Sequence, residues 1–181
     1  MSKKALKLVT KKFKKHLLDS SDRRGDAAVV VGPDALMDLL TFLRDEPKLD
    51  FSMLSDLTAV DYLHREPRYE VVYNLYSLAH KHRFRVRCVV EEGAEEVPTA
   101  TALWKAANWA EREVWDMYGI RFTDHPDLRR ILLYEEFEGH PLRKDYPIQK
   151  SQPRMDLRRQ ERDALEEYQH FHVGGASSAD A

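Results

Sequence analysis

Carboxylates and histidines that could exchange protons are concentrated in the second half of the sequence. Glu111, Glu113 and Asp116 lie close together, and His125 and His140 follow them. A carboxylate beside a histidine can act in general acid–base catalysis. No nucleophile motif accompanies them, and the chain has only seven glycines, which disfavours the glycine-rich loops that hold phosphates and dinucleotides. A small hydrolase or transferase with His125 or His140 as its base is therefore an alternative without a defined reaction.

The other histidines and the single cysteine do not form a recognisable metal site. His80–His82 and His170–His172 are His-x-His pairs, and neither has a spacing typical of zinc ligands. Cys88 alone cannot supply the thiolates that hold an iron–sulfur cluster. We therefore predict no metal site in this chain. Cys88 lies on the apolar side of an alternating run, so we expect it to be a small buried apolar side chain.

The composition indicates one folded domain with an arm or tail. The chain has 181 residues, of which 33% are charged and 43% hydrophobic, and its formal net charge is −2. This near balance argues against a nucleic-acid-binding protein, because such domains usually carry a basic excess. The longest apolar run, Ala27–Val31, is far shorter than the roughly 20 residues of a membrane-spanning helix. The basic start lacks the apolar stretch of a secretory signal, so we expect a protein that is not exported.

Lysines surround an apolar stripe at the start of the sequence. Seven lysines lie among the first fifteen residues, and the first acid is Asp19. Leu6, Val9 and Phe13 recur at steps of three and four, which predicts an amphipathic helix. Three roles are open for this helix: packing on its own domain, contact with an acidic partner, or binding to a membrane surface. Residues 19–26 are predicted to be a polar linker.

The middle of the chain alternates between strand and helix signals. A buried strand at Ala27–Val31 precedes a helix that begins at Pro33 and ends at Pro47. Three runs of alternating side chains with short links then predict antiparallel strands, at residues 51–60, 69–76 and 84–90. A second long helix is predicted over residues 99–118, with Gly119 after it. This order predicts an α+β fold: a two-layer α/β sandwich with a mixed, partly antiparallel sheet, followed by an extended C-terminal arm.

Residues 111–147 combine charged and large apolar side chains, with prolines at intervals. A disordered linker would not carry this much apolar surface. We therefore predict an extended segment that orders itself against its own domain or another chain. Arg129, Arg130, Arg143 and Lys144 can pair with carboxylates, either across an interface or within the chain. His125 and His140 each precede a proline, which places them at turns rather than within helices.

In these residues the sequence resembles one known family. The signature runs are Glu111–Phe122, His125–Leu132 and Gly139–Pro147. Upstream runs follow in the family's order, at Leu57–Tyr62, Val71–Leu78 and Arg83–Val90. They are similar to the C subunit of the proton-pumping NADH:quinone oxidoreductase, also called respiratory complex I or NDH-1, in the complex I 30 kDa subunit family. The resemblance spans roughly residues 28–150, and it departs from the family pattern at residues 134–136, where an aspartate is expected.

The resemblance implies a structural subunit of an enzyme complex. Members of this family carry no flavin, cluster or quinone of their own, whereas the complex uses NADH, FMN, iron–sulfur clusters and quinone. They lie in its hydrophilic arm, beside the quinone-site subunit (D) and near the terminal-cluster subunit (B). The likeness thus implies a hetero-oligomer that is peripheral to the cytoplasmic side of the cell inner membrane. The alternative is the equivalent subunit of an energy-converting membrane hydrogenase or a related complex.

The signature also suggests how the chain is divided. We expect a basic N-terminal helix and linker (1–26), an α/β domain (27–120), an interface segment (121–150) and a partly disordered tail (151–181). No residue is expected to be catalytic, to bind a cofactor or to bind a metal. The residues expected at a partner interface are Glu111, Arg112, Glu113, Asp116, His125, Pro126, Asp127, Arg129, Arg130, Gly139, His140, Pro141, Arg143, Lys144, Asp145 and Pro147.

Overall fold

Five strands form a mixed sheet that carries helices on one face. The structure, a computed structural model, describes residues 2–154. The helices are α1 (Ser2–Phe13), α2 (Pro33–Asp45) and α3 (Ala107–Tyr118). The strands are β1 (Leu17–Arg23), β2 (Asp26–Val31), β3 (Met53–Asp61), β4 (Tyr69–Ser77), β5 (His82–Val90), β6 (Glu96–Pro98) and β7 (Arg121–Thr123). The expectations for the tail from residue 155 onward lie outside the described residues.

The sheet order is β1-β2-β5-β4-β3, and the short strands β6 and β7 form a separate parallel pair. Within the large sheet β2 and β5 are parallel, and all other neighbours are antiparallel. The predicted α+β sandwich with a mixed sheet is confirmed. None of the described helices has the length and apolar character needed to cross a bilayer.

One face of the sheet packs with all three helices around a single core. Alternate side chains of β4 and β5 point into it, from Tyr69 to Leu75 and from Phe84 to Val90. The period-two pattern predicted both strands for this reason. Cys88 lies in this core, fully buried, and burial raises the pKa of its thiol to about 12. Its predicted role as a small buried side chain is confirmed.

The N-terminal helix packs on its own domain. Ala5, Val9 and Phe13 are buried in the common core, and α1 contacts β1, β2 and β5. The first of the three roles predicted for this helix is therefore the one observed. Its lysines remain on the solvent side.

The predicted linker over residues 19–26 is wrong, because β1 occupies most of it. Arg23 pairs with Asp26 across a two-residue turn in which Arg24 and Gly25 have φ of 54° and 88°. Such a turn matches the twist of a hairpin and usually contains Asn-Gly or Asp-Gly, so Arg-Gly is a weak signal. The strand lies at the sheet edge with mostly solvated side chains, so backbone hydrogen bonds hold it without an apolar pattern.

Helix α3 is shorter than predicted and begins at Ala107. Residues 99–106 form turns instead, in which the amides of Leu103 and Trp104 both donate to the carbonyl of Ala100. The predicted C-terminal residue Gly119 is confirmed, with φ of 80°. The chain then turns back through β7 beside β6. This pairing sets where the interface segment leaves the domain.

Candidate partner interface

The end of α3 receives a histidine of the interface segment. Gly119 donates its amide to the carbonyl of Trp115, in the left-handed conformation that glycine adopts without strain. The ring of His140 lies so close that a Cβ at position 119 would be 2.6 Å from it. His140 Nδ1 lies 2.9 Å from the carbonyl oxygen of Asp116. Glycine is thus required here both for its positive φ and for the approach of the ring.

Asp116 holds the backbone of the interface segment. Its buried carboxylate accepts hydrogen bonds from three consecutive amides, those of Ile131, Leu132 and Leu133, at 2.9–3.1 Å. Its other oxygen lies 2.7 Å from Nη1 of Arg130. Burial acts to raise the pKa of Asp116, but the three amides and the guanidinium outweigh it and hold the pKa below its usual range. This carboxylate is therefore fully satisfied within its own chain.

Arg112 complements Asp116 on the same helix. Its guanidinium donates to the carbonyl oxygens of Arg129 and Arg130 at 3.1 and 3.2 Å. The same group lies over the ring of Trp109 at 5.1 Å. Helix α3 thus offers an acceptor and a donor to one stretch of backbone. This stretch of backbone lies along α3, although it has no regular secondary structure of its own.

A second attachment joins the interface segment to the ends of β3 and β4. Arg68 and Asp61 form a bidentate pair with two contacts of 2.9 Å, and both side chains are buried. Asp61 also accepts the backbone amide of Lys144 at 2.8 Å, and Arg68 lies 3.0 Å from Asp145. Arg68 further contacts Glu92. Desolvation opposes ionisation of Asp61, yet these partners keep its pKa below the usual range.

Arg143 pairs inside the chain, and its expected place at a partner interface stays a prediction. Its Nη2 lies 2.7 Å from Glu95, and its Nε donates to the hydroxyl of Tyr69 at 2.8 Å. The side chain is partly buried by these contacts. The side chain of Lys144 is exposed. Of these two residues Lys144 is the more exposed.

Glu111 and His125 lie close together but do not form an accessible acid–base pair. Glu111 is fully buried and accepts the hydroxyl of Thr99 and the amide of Ala100. Burial raises its pKa to about 7 despite these bonds. His125 Nε2 is 3.9 Å from Glu111 and 3.2 Å from the carbonyl of Asn108, and its Nδ1 accepts the amide of residue 127. Both ring nitrogens of His125 therefore bind backbone atoms of the same chain.

The remaining signature residues lie on the surface. The exposed ones are Glu113, Pro126, Asp127, Arg129, Gly139, Lys144, Asp145 and Pro147, whereas Pro141 is half-buried. Large apolar side chains accompany them on α3 and the interface segment: Trp109 is 62% exposed, Leu132 62%, Leu142 47% and Ile148 100%. The predicted site therefore has two layers, an inner layer that holds the segment and an outer layer in solvent. Among residues 2–154, no three His, Cys, Asp or Glu side chains are arranged to hold a metal ion.

Several residues that hold the interface segment were not predicted from the sequence. They are Asp61, Arg68, Tyr69, Glu95 and Thr99. A signal existed for Asp61, because it follows Leu57 and Ala59 at the inward positions of an alternating strand. An acid at such a position requires a buried cation or amide. Nothing in the sequence pattern indicates which cation that is.

The sequence is similar to known proteins over most of its length. A family model described as respiratory-chain NADH dehydrogenase, 30 Kd subunit, matches residues 29–152. The NADH-quinone oxidoreductase C subunit of Roseiflexus castenholzii is 53% identical over 132 residues, which cover 73% of this chain and 76% of the relative. The protein of the same name from Geotalea uraniireducens is 46% identical over 138 residues, or 76% and 83% of the two chains.

Two solved structures share the fold. The trypsin-resistant fragment (1–134) of Nqo5 has a TM-score of 0.61 and 33% identity, and the match covers 71% of this chain and all of the fragment. A chain of the membrane-bound sulfane sulfur reductase, an archaeal respiratory membrane complex, has a TM-score of 0.65 and covers 98% of this chain and 96% of its own. Its identity is 20%, so this second likeness concerns the fold alone.

Proposed function

Since this chain belongs to the 30 kDa subunit family of respiratory-chain NADH dehydrogenase, which includes the NADH-quinone oxidoreductase C subunit, we propose that it is a structural subunit of that complex's hydrophilic arm. The complex passes electrons from NADH through FMN and iron–sulfur centres to quinone and couples this to proton translocation. In this proposal the reaction belongs to the assembly. This chain supplies a docking surface for the quinone-site subunit (D) and lies near the terminal-cluster subunit (B).

The observation that carries the proposal is the two-layer construction of the interface segment. Buried charges on Asp116 and Asp61 hold its backbone against its own domain. Its outer side leaves Leu132, Leu142 and Ile148 in solvent. Large apolar side chains exposed on an ordered segment are typical of a protein–protein interface. The segment therefore presents a formed surface to a partner.

A role without a redox centre is supported by the chemistry of Cys88. This single thiol is buried in the core, and its pKa of about 12 keeps it protonated at physiological pH. A metal or cluster binds the thiolate form, and a reactive cysteine needs it as well. We propose that the electrons of the complex pass through other subunits. Absorption spectra and metal analysis of the isolated chain are expected to show no flavin, iron or zinc.

The experiment that tests docking is purification of the complex through a tag on this chain. The quinone-site and terminal-cluster subunits are expected to co-purify with this chain from the membrane fraction, and the preparation should have NADH:quinone activity. In the proposal, this chain lies on the cytoplasmic side of that membrane. Recovery of a lone monomer from membranes would contradict the proposal. If hydrogen evolution is recovered instead of NADH oxidation, the chain serves the hydrogenase-type complex.

A pair of matched variants tests the surface itself. Leu132 and Leu78 are 62% and 60% exposed, but only Leu132 lies on the interface segment. Leu132→Asp is expected to reduce recovery of the quinone-site subunit without lowering the melting temperature of the isolated chain. Leu78→Asp, in the turn between β4 and β5, is expected to change neither. Equal recovery of the quinone-site subunit with both variants would exclude Leu132 from the interface.

A further inference from the structure

Lysines cover the solvent side of α1 and the turn that follows it. All seven are exposed, and two have a partner: Lys3 lies 3.8 Å from Asp22, and the ammonium of Lys12 lies 3.9 Å from the centre of the Phe42 ring. The others have no carboxylate within 4.0 Å among the described residues. They form the lysine face, which consists of Lys4, Lys7, Lys11, Lys14 and Lys15.

The N-terminal lysines and the like-charge spacing work against the stability of α1, although Lys11 and Lys12 in its last turn suit the helix dipole. The first turn of α1 contains no acid, and Lys3 and Lys4 place positive charge at the end where the helix dipole is also positive. Lys3, Lys7 and Lys11 follow one another at a spacing of four, at which like charges on a helix repel. Seven of the twelve lysines of the chain lie within its first fifteen residues, although the chain as a whole is slightly acidic. A negatively charged partner would remove both unfavourable terms.

The chemistry of that partner can be narrowed because the exposed side of α1 lacks the side chains that membranes and nucleic acids require. A helix that binds a membrane inserts an apolar face, but Ala5, Val9 and Phe13 are already buried in the domain core. A nucleic-acid surface usually contains arginine and stacked aromatic rings, and this face contains neither. What remains is a set of point charges on a rigid helix that is anchored to a sheet. This set fits carboxylates of a folded protein.

We propose that the lysine face binds an acidic surface of another polypeptide in the same assembly. Helix α1 packs on β1, β2 and β5, whereas the interface segment attaches beside β3, at the other end of the sheet. Helix α1 also precedes residues 29–152, the part of the chain that the family model matches. The lysine face is therefore a second docking surface, separate from the first. The inference rests on membership in a multisubunit assembly and not on the docking of Leu132.

Zero-length crosslinking of the purified complex tests this directly. A carbodiimide joins a lysine amine to a carboxylate only when the two are in contact, and mass spectrometry then identifies both residues. Crosslinks from Lys4, Lys7 or Lys11 to an acid of another polypeptide are expected. If these lysines form none and are fully acetylated by acetic anhydride in the intact complex, the proposal is wrong. Co-purification of the other subunits in that same sample would leave the proposed function standing.

Charge reversal gives a second readout. The triple variant K4E/K7E/K11E leaves the buried face of α1, formed by Ala5, Val9 and Phe13, unchanged, so the chain is expected to fold. Its association with the crosslinked polypeptide should be about tenfold slower at low salt and unchanged at about 1 M salt, as for steering charges at an interface. The control K48E/K81E/R83E changes the same net charge on exposed residues elsewhere. If the control slows association equally, the effect is one of net charge alone and the proposal is wrong.

Lipid binding is the competing outcome. The full-length chain is mixed with vesicles of phosphatidylglycerol, or of phosphatidylcholine alone, and sedimented. Binding to the anionic vesicles that K4E/K7E/K11E abolishes, together with an absence of crosslinks to other polypeptides, would assign the lysine face to the membrane. No binding to either vesicle, together with crosslinks to another polypeptide, supports the proposal.

Discussion

Arg143 donates a hydrogen bond of 2.7 Å to Glu95 and so closes the interface segment onto the domain of its own chain. Arg143→Glu places two carboxylates together and removes the donor to Tyr69. We expect the isolated chain to lose about 1–3 kcal/mol of unfolding free energy, as when a charged hydrogen bond is broken. Denaturant unfolding measures this loss. The exchange E95R/R143E should recover part of it, and unchanged stability of the single variant would contradict an internal pair.

Asp116→Asn tests whether one carboxylate orders the segment. The amide keeps the shape but loses the charge that binds Arg130 and the amides of residues 131–133, so we expect a loss of about 2–3 kcal/mol. Hydrogen exchange of these three amides should accelerate. Glu113→Gln, an exposed neighbour on α3, is the control and should change stability by less than about 0.5 kcal/mol. Unaltered exchange at residues 131–133 would remove Asp116 from this role.

The pH dependence of Asp116 has a definite sign. Its pKa lies below the ordinary value in the folded chain, so its contribution to stability is present above the pKa of the unfolded chain. It is lost as the pH falls below about 4, the ordinary aspartate range. The Asp116→Asn variant should therefore differ from the parent chain most at neutral pH and least in acid. Unfolding free energies at pH 7 and in acid measure this difference.

Glu111 should have the opposite effect. Burial raises its folded pKa to about 7 from an ordinary value of 4.5, so the folded chain binds the proton more tightly than the unfolded chain. Stability is then highest below the unfolded pKa and falls as the pH rises towards 7, by about 3 kcal/mol. Glu111→Gln cannot ionise and is expected to flatten the curve between its unfolded pKa of 4.5 and its folded pKa of about 7. An unchanged slope in this variant would assign the pH dependence to other groups.

Substitution of two glycines by alanine distinguishes the cost of backbone strain from the cost of a close side-chain contact. Gly119 and Gly93 both have positive φ, but a Cβ at position 119 meets His140 at 2.6 Å, whereas at position 93 nothing lies within 4 Å. Gly93→Ala should lose about 1 kcal/mol through strain alone. Gly119→Ala should lose more, since the His140 ring must also move. His140→Ala should relieve part of the Gly119→Ala effect, and equal losses for the two glycines would exclude the ring contact.

The fold was largely predictable because most of its strands have one face buried in the core. On β4, Val71 and Tyr73 point into the core, and the alternation that results is visible in the sequence. On β1 the side chains face solvent at the sheet edge, so no pattern marks the strand. Thr99 to Ala106 contain apolar residues at helical spacing, yet a buried carboxylate from Glu111 binds the amide of Ala100 and holds turns instead.

The sequence marked the candidate residues, but it did not indicate how they are arranged within the chain. The family signature marks Asp116, Arg130 and Arg143. Their partners include backbone amides and Glu95, which lies 48 positions before Arg143. Charge pairing over such a separation depends on the path of the chain, which local spacing does not encode. Arg143 pairs within its own chain, and the expectation that the signature charges face a neighbour stays a prediction.

The hydrogen bonds that Asp116 accepts from three backbone amides have a consequence for sequence variation among relatives. The carboxylate recognises the backbone at residues 131–133 and not their side chains. Substitutions at Leu132 can therefore alter what a partner meets while the course of the segment is retained. In the proposed function, folding and recognition depend on different atoms of the same residues. A protein built this way can follow changes in its neighbour without redesign of its own core.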